Sequence, residues 1–228
     1  MGSKNRIAKE ILPIMLKERG QRTWVEPFVG GANMIQHIKH DRRFGSDISD
    51  SLIALLKYAQ DLNNKLPDYI TEDEYNKVKK NKKDYPLWYV GFCGYIAAYG
   101  PNYFRGYAKD LESRSFIKER IANLEYQRKF LTNISLKAVS YTSIRDLKNF
   151  VIYCDPPYKK TTELYSVDKD FCHNNFWNWV RNFSKNNVVL VSEYNAPDDF
   201  AILFEKDLVT SIGPRAAKQP ERLFKWKE

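Results

Sequence analysis

The chain has 228 residues, 43% hydrophobic and 29% charged, which is ordinary for a globular protein and enough for one α/β domain with a sizeable core and a small insert. No apolar run approaches the roughly 18 residues that span a bilayer, and the opening Met1-Gly2-Ser3-Lys4-Asn5-Arg6 leads into further charges, so a membrane protein and a signal peptide are not expected and the cytoplasm is. Lysine and arginine outnumber aspartate and glutamate by 37 to 28, a net charge of +9 that suits a polyanionic partner, while three cysteines without a CxxC pair (Cys93, Cys154 and Cys172) exclude a disulfide framework and a structural zinc site.

Residues 3 to 19 place apolar side chains at helical spacing, with Ile7, Ile11, Ile14 and Met15 on one face. Pro13 is expected to interrupt that helix or restart it, and Gly20 to end it. Thr23-Trp24-Val25-Glu26 predicts a short buried strand, running into the glycine-rich turn Pro27-Phe28-Val29-Gly30-Gly31-Ala32-Asn33. A helix is predicted from about Asn33 to Lys39, then a strand over Arg43 to Ser46 closing on Asp47, then a helix from Leu52 to about Leu62. This β-turn-α-β-α order opens a doubly wound sheet. His37 and His40 stand three apart beside Asp41, a spacing better explained by a solvated helix end than by a metal site.

The middle of the chain changes character. Residues 72 to 85 are strongly charged, with Lys77, Lys79, Lys80, Lys82 and Lys83. Residues 88 to 107 are rich in aromatics and glycine, and helical periodicity returns over 116 to 131. Ile134 to Tyr141 reads as a strand. Phe150-Val151-Ile152-Tyr153-Cys154 is a near-continuous apolar run, as a strand buried on both faces requires. Further strands are predicted over Asn187 to Glu193, Lys206 to Ile212 and Arg222 to Trp226. The fold class expected is α/β: a Rossmann-like, doubly wound, mostly parallel seven-stranded sheet with a small, mainly helical insert.

Two constellations carry chemistry. The turn from Pro27 to Asn33 follows a strand, and its glycines let the backbone bend sharply and approach a ligand that a β-carbon would block. The predicted helix behind it would offer unpaired N–H groups to a carboxylate. Asp47, 17 residues beyond Gly30, ends the next strand, where an acid can accept hydrogen bonds from both hydroxyls of a ribose. Ile48 can pack on an adenine ring. Ser49 and Asp50 are available to cap the following helix, which leaves Asp47 for a ligand. The GxGxxG spacing of nicotinamide sites and the GxxxxGK[ST] phosphate loop are both missing, so a nucleoside with an amino-acid tail fits better than a dinucleotide.

The second constellation is Asp155-Pro156-Pro157-Tyr158 at the carboxyl end of the 150–154 strand. Consecutive prolines fix φ and remove two N–H donors, so the loop presents acceptors. An exocyclic amine has two N–H groups to satisfy; the Asp155 carboxylate and the Pro156 carbonyl can each take one, drawing the nitrogen lone pair out of conjugation and aiming it at a methyl sulfonium. Tyr158 can stack on the base.

With Pro27 to Asn33 upstream and Asp155 to Tyr158 downstream, nearly the whole chain resembles the Dam-type (D12 class) N6-adenine DNA methyltransferases. Gly2-Ser3-Lys4 is similar to the family's N-terminal motif, which implies that Lys4 contacts the cofactor. Pro27, Phe28, Gly30, Gly31, Ala32 and Asn33 match the cofactor loop, Asp47 and Ile48 the ribose and adenine contacts, and Ser140-Tyr141 a pair lining the adenine pocket. Asp155, Pro156, Pro157 and Tyr158 match the catalytic loop, with Asp155 also at the cofactor. Glu221-Arg222-Leu223-Phe224 resembles the closing strand. The motif order is that of the α group of amino methyltransferases, and Gly100 to Ala108 is similar to phage or prophage members. The resemblance implies S-adenosylmethionine as cofactor, S-adenosylhomocysteine as product and no metal. It also implies a catalytic domain over residues 1–60 and 132–228, with a helical target-recognition insert over 61–131. The insert is much shorter than in larger members, and the aromatic residue that often precedes the N-terminal lysine has no counterpart.

The implied partner is double-stranded DNA, with no membrane; monomer and weak dimer both stay open. A base inside a duplex must be flipped out to react, which needs phosphate contacts and side chains to fill the gap. Tyr99, Asn102, Tyr103, Arg105, Lys109 and Arg114 are candidates, with Lys159, Lys160 and Lys218 at phosphates; a satellite aromatic core accounts for about half of the tyrosines in this stretch. N4-cytosine or RNA amino methylation follows the same loop logic, although N4-cytosine enzymes more often carry serine in place of the first aspartate. A catalytically silent DNA-binding relative is a further alternative. Cytosine C5 chemistry needs a nucleophilic cysteine after a proline, and no cysteine here has that setting.

Overall fold

The computed structural model describes residues 4–39, 42–100, 103–158, 171–209 and 218–227. In chain order the elements are α1 (Asn5–Arg19), β1 (Thr23–Glu26), β2 (Arg43–Asp47), α2 (Asp50–Gln60), α3 (Glu72–Lys80), α4 (Leu87–Ile96), α5 (Phe116–Leu131), β3 (Ile134–Ala138), β4 (Phe150–Cys154), α6 (His173–Ser184), β5 (Val188–Glu193), β6 (Phe200–Val209) and β7 (Lys218–Trp226). Single 3-10 turns lie at Ile35–His37, Lys82–Asp84 and Tyr141–Ser143. The fold is α/β and Rossmann-like, with a mostly parallel seven-stranded sheet. The chain forms two compact units, Met1–Lys4 with Val29–Tyr141, and Asn5–Phe28 with Thr142–Glu228.

In the first unit β2 and β3 pair in parallel, from Arg43 opposite Ile134 to Asp47 opposite Ala138. Helix α2 starts where Ser49 Oγ accepts from the Leu52 N–H at 3.3 Å, a side-chain cap on an otherwise orphaned donor. It buries Leu52, Ile53, Leu55 and Leu56. Helix α4 lies so close to α2 that a β-carbon on Gly91 would sit 2.1 Å from the Ser51 carbonyl oxygen. Helix α3 is capped by Thr71 and carries Glu72, Asp73 and Glu74 in its first turn and Lys77, Lys79 and Lys80 in its last, each sign at the dipole end that favours it.

Two buried guanidiniums tie this unit together. Arg43 reaches the carbonyls of Ile35, Phe130 and Thr132. Arg128, 5% exposed, donates to the carbonyls of Ala59, Asp61 and Asn64 at 2.7–2.9 Å and to both oxygens of Glu125. It thereby fastens the end of α2 to α5. The helix predicted over 33–39 is a single 3-10 turn, because Ile38 is already extended (φ −83°, ψ 108°) and Met34 provides no side-chain cap. A three-residue turn has no useful N-terminal dipole, so the anion-binding role expected of that helix end is withdrawn. The strand predicted to reach Tyr141 stops at Ala138.

In the second unit the strands are ordered β1-β4-β5-β7-β6. β1, β4 and β5 run parallel, and β7 and β6 are antiparallel. Four of the five β4 residues are buried, as its unbroken apolar sequence requires. Pro13 lies inside α1 without ending it; it sits on the exposed face, and the carbonyl whose bond it forgoes belongs to the exposed Lys9. Gly20 adopts φ +56° and donates to the Leu16 carbonyl, closing the helix. Helix α6, which periodicity did not reveal, buries Phe176, Trp177, Val180 and Phe183. Arg181 grips Asp199 through two bonds of 2.6 and 2.8 Å, which holds that carboxyl down at about 2. β6 begins at Phe200 rather than Lys206, and the predicted end at Ile212 lies outside the described residues.

Candidate functional site

The glycine turn is held from both sides within the first unit. The Val29 N–H donates to the Ser46 carbonyl at 2.8 Å and the Ala32 N–H back to Val29, while Gln127 Nε2 on α5 donates to the Gly31 carbonyl at 2.8 Å. Gly30 has φ +49°, and a β-carbon there would meet nothing within 4 Å, so the glycine serves the backbone turn and keeps open space beside it. Its N–H donates to Asp47 Oδ2 at 3.1 Å, and the Ser49 N–H donates to Oδ1 at 3.0 Å. Burial pushes the Asp47 carboxyl up, against the opposing pull of the Ser49, Gly30 and Ile48 amides.

The donor and acceptor pattern fits an adenosine-bearing cofactor. Each Asp47 oxygen accepts an amide N–H and keeps further lone-pair capacity for a ribose hydroxyl. Beside it Ile48 is 63% exposed, an apolar surface for a flat ring to cover. Ser49 is the helix cap and also meets Tyr95 Oη at 2.7 Å. Asn33 is half-buried and Ala32 fully buried, with φ +58°. Lys4 is buried at 8% exposure, and Ser140 and Tyr141 are half-buried.

In the second unit the parallel strand β4 ends at Cys154 and is followed by half-buried Asp155, buried Pro156, half-buried Pro157 and buried Tyr158. Tyr158 Oη donates to Glu221 Oε2 on β7 at 2.8 Å, and its ring stands edge-on to Tyr194 with centroids 4.4 Å apart. Burial, Asp155 and Glu221 together hold the Tyr158 phenol protonated. Burial and then Asp155 do the same to the Tyr153 phenol and the Cys154 thiol, so Cys154 is no nucleophile. Beneath the loop Tyr153 Oη meets Ser192 Oγ at 2.9 Å. Pro27 is buried, and Phe28 packs edge-on against Phe171 and Phe176. Glu221 and Tyr194 complete the surroundings of Tyr158, although the sequence offers Glu221 only as part of the closing strand and gives no signal for Tyr194.

The nucleic-acid candidates fall in several settings. Tyr99 is 71% exposed on a short ladder in which its N–H donates to the Gly106 carbonyl. Tyr103 is half-buried against Tyr95 and Phe104, with Lys82 Nζ 4.8 Å from its ring centre. Arg105 is exposed. Lys109 pairs with Glu72 at 3.3 Å, and Arg114 makes two 2.8 Å bonds to Glu119. The lysines at 77, 79, 80, 82 and 83 are exposed. Asn102, Lys159, Lys160, His40 and Asp41 lie outside the described residues, as does the Lys218 side chain. Among the described residues no three His, Cys, Asp or Glu side chains gather as a metal would need, and no helix is long and apolar enough to cross a membrane.

Several solved structures align with the chain. A candidate methylase from Haemophilus influenzae is 10% identical, covering 100% of this chain and 92% of that one with a TM-score of 0.40. An rRNA methyltransferase from Streptomyces viridochromogenes is 11% identical, covering 97% and 84% with a TM-score of 0.44. A candidate methyltransferase solved with S-adenosylhomocysteine is 10% identical, covering 98% and 52% with a TM-score of 0.38. No curated protein matches the chain in sequence. The sequence model of the D12 class N6 adenine-specific DNA methyltransferases matches residues 1–192, a span that takes in the glycine turn, Asp47 and the Asp155–Tyr158 loop. The chain therefore belongs to the D12 class N6 adenine-specific DNA methyltransferase family.

Proposed function

We propose that the chain methylates the exocyclic N6 of adenine, at a specific sequence in double-stranded DNA, on a base flipped out of the helix. Methyltransferases of this family draw on S-adenosylmethionine, which supplies an electrophilic methyl group. The observation that carries the proposal is the acceptor-rich turn Asp155-Pro156-Pro157-Tyr158, whose two prolines lack N–H donors, at the carboxyl end of a buried parallel strand, the end at which open α/β sheets bind ligands.

The amine offers two N–H groups. Asp155 accepts one and the Pro156 carbonyl the other, which orients the nitrogen and leaves its lone pair available as a nucleophile. The nitrogen takes the methyl group as the carbon–sulfur bond breaks and S-adenosylhomocysteine leaves, and the proton the nitrogen then sheds passes first to the Asp155 carboxylate. Tyr158 stacks on the base. Lys4, the turn from Pro27 to Asn33, Asp47, Ile48 and the Ser140-Tyr141 pair hold the cofactor, Asp47 through the ribose and Ile48 through the adenine. Residues 61–131 act as the target-recognition insert, with Tyr99, Asn102, Tyr103, Arg105, Lys109 and Arg114 at DNA and Lys159 and Lys160 at phosphates. Catalysis of this kind rests on orientation and electrostatics, with no covalent enzyme intermediate.

The test is to incubate the protein with isotopically labelled S-adenosylmethionine, mixed double-stranded DNA and RNA, digest to nucleosides and identify the labelled one by mass spectrometry. Label in N6-methyl-2′-deoxyadenosine is expected. Label in N4-methylcytosine, or in RNA but not DNA, would refute the proposal.

A further inference from the structure

We propose that Glu221 is a positioning residue that sets the ring of Tyr158 through its phenol; the functional consequence rests on the reading above. The catalytic loop follows β4 and Glu221 lies on β7, 63 residues later, yet Tyr158 Oη donates to Glu221 Oε2 at 2.8 Å. A phenol bonded to a carboxylate is a charge-assisted contact, stronger than a neutral pair. It acts at the far end of the ring, where it has the greatest leverage on the side-chain torsions.

A second brace comes from the next residue of the same strand. Arg222 Nη1 donates to the Tyr194 carbonyl and to Asn195 Oδ1, while its Nε meets Glu205. This fixes the segment just past β5, and the Tyr194 ring stands edge-on to Tyr158 at 4.4 Å. The register places Arg222 opposite Glu193, the last residue of β5, so Glu221 falls at the level where β5 has ended. Tyr158 is thus held at its tip by Glu221 and against its ring by Tyr194, while Pro156 and Pro157 restrict the backbone behind it. Tyr153 Oη and Ser192 Oγ, bonded at 2.9 Å, add a further cross-strand tie two residues before Asp155. In this arrangement Glu221 touches no reacting atom; it narrows the range of ring orientations that Tyr158 samples, which is a cost otherwise met during the reaction.

The experiment is a double-mutant cycle on single-turnover methylation of an adenine-containing duplex, with Glu221→Ala, Glu221→Gln, Tyr158→Phe and the double variant Tyr158→Phe/Glu221→Ala. Glu221→Ala should slow methyl transfer about tenfold with cofactor affinity changed less than about twofold, and Glu221→Gln, which keeps an acceptor, should recover most of the rate. Tyr158→Phe should slow it similarly. The double variant should be no slower than about twofold below either single one, because both remove the same contact. Losses that multiply, or an unchanged rate for Glu221→Ala, would overturn the inference. A second measurement needs no activity: with tyrosines carrying carbon-13 at the phenolic carbon, the Tyr158 resonance, identified by its loss in Tyr158→Phe, should move in Glu221→Gln. An unmoved resonance would show that the contact is not made. Wild-type protein that leaves adenine unmethylated would defeat the functional reading, while the resonance would still decide the contact.

Discussion

Replacing Asp47 by alanine separates a ligand-binding acid from a structural one. In the protein without cofactor its two oxygens accept the Gly30 and Ser49 amides at 3.1 and 3.0 Å, and burial raises its proton affinity. Because the folded state holds that proton more tightly than the unfolded chain does, the ionised carboxylate costs stability at neutral pH. Alanine removes that cost while depriving two amides of acceptors, and the opposing effects leave a net destabilisation of about 1 kcal/mol. Cofactor binding has no such offset. On the proposed ribose role, two hydroxyls lose a charged acceptor, and even after solvent competition a loss of about 1.4–2.8 kcal/mol follows, a ten- to hundredfold weaker affinity. Calorimetric titration with S-adenosylmethionine reads this directly. It also reads the pH dependence: as pH falls toward the raised Asp47 value, one oxygen turns from acceptor to donor and wild-type affinity should decline, whereas the alanine variant should lack that slope. An affinity within twofold of wild type in a folded Asp47→Ala protein, or an equal slope in both, would refute the role.

Asp155→Ala should lower methyl transfer more than a hundredfold while the melting temperature stays near that of wild type; turnover within tenfold of wild type would count against the loop chemistry. Gly91→Ala should lower the melting temperature by about 4 °C or more in differential scanning calorimetry, because its β-carbon would meet the Ser51 carbonyl at 2.1 Å and overpacking costs about 1–3 kcal/mol. Raising salt from 50 to 200 mM should weaken DNA binding by about a thousandfold if six phosphates are engaged, readable by fluorescence anisotropy, and a flat response would argue against the basic surface as a DNA footprint.

The parts of the fold that showed in the sequence are those whose residues announce their surroundings locally. β4 is apolar without a break because both its faces are covered, and the prolines after it mark the loop. Asp47 stood out because Ser49, the true cap, sits two residues on. Other features depend on partners far along the chain. Met34, Ile35 and Ile38 have helical spacing, yet the segment makes one 3-10 turn, and the Ile35 carbonyl receives Arg43. Helix α6 opens on Cys172, which gives no side-chain cap, and its aromatic residues suit a strand as readily as a helix. The first half of β6, Phe200-Ala201-Ile202-Leu203, shows no alternation. Glu221 has no local signature at all, since its partner Tyr158 is 63 residues away.

Arg128 has an implication for how such a protein can diversify. Its guanidinium clasps the carbonyls of Ala59, Asp61 and Asn64 to the helix that brings the chain back, and Gln60 adds bonds to the Leu131 and Ile134 carbonyls. Apart from the Glu125 carboxylate, the acceptors are main-chain atoms, which any amino acid supplies. Substitutions across residues 65 to 115 leave these bonds in place, so, on the proposed assignment of residues 61–131 to target recognition, side chains there can change while the root of the loop keeps its shape.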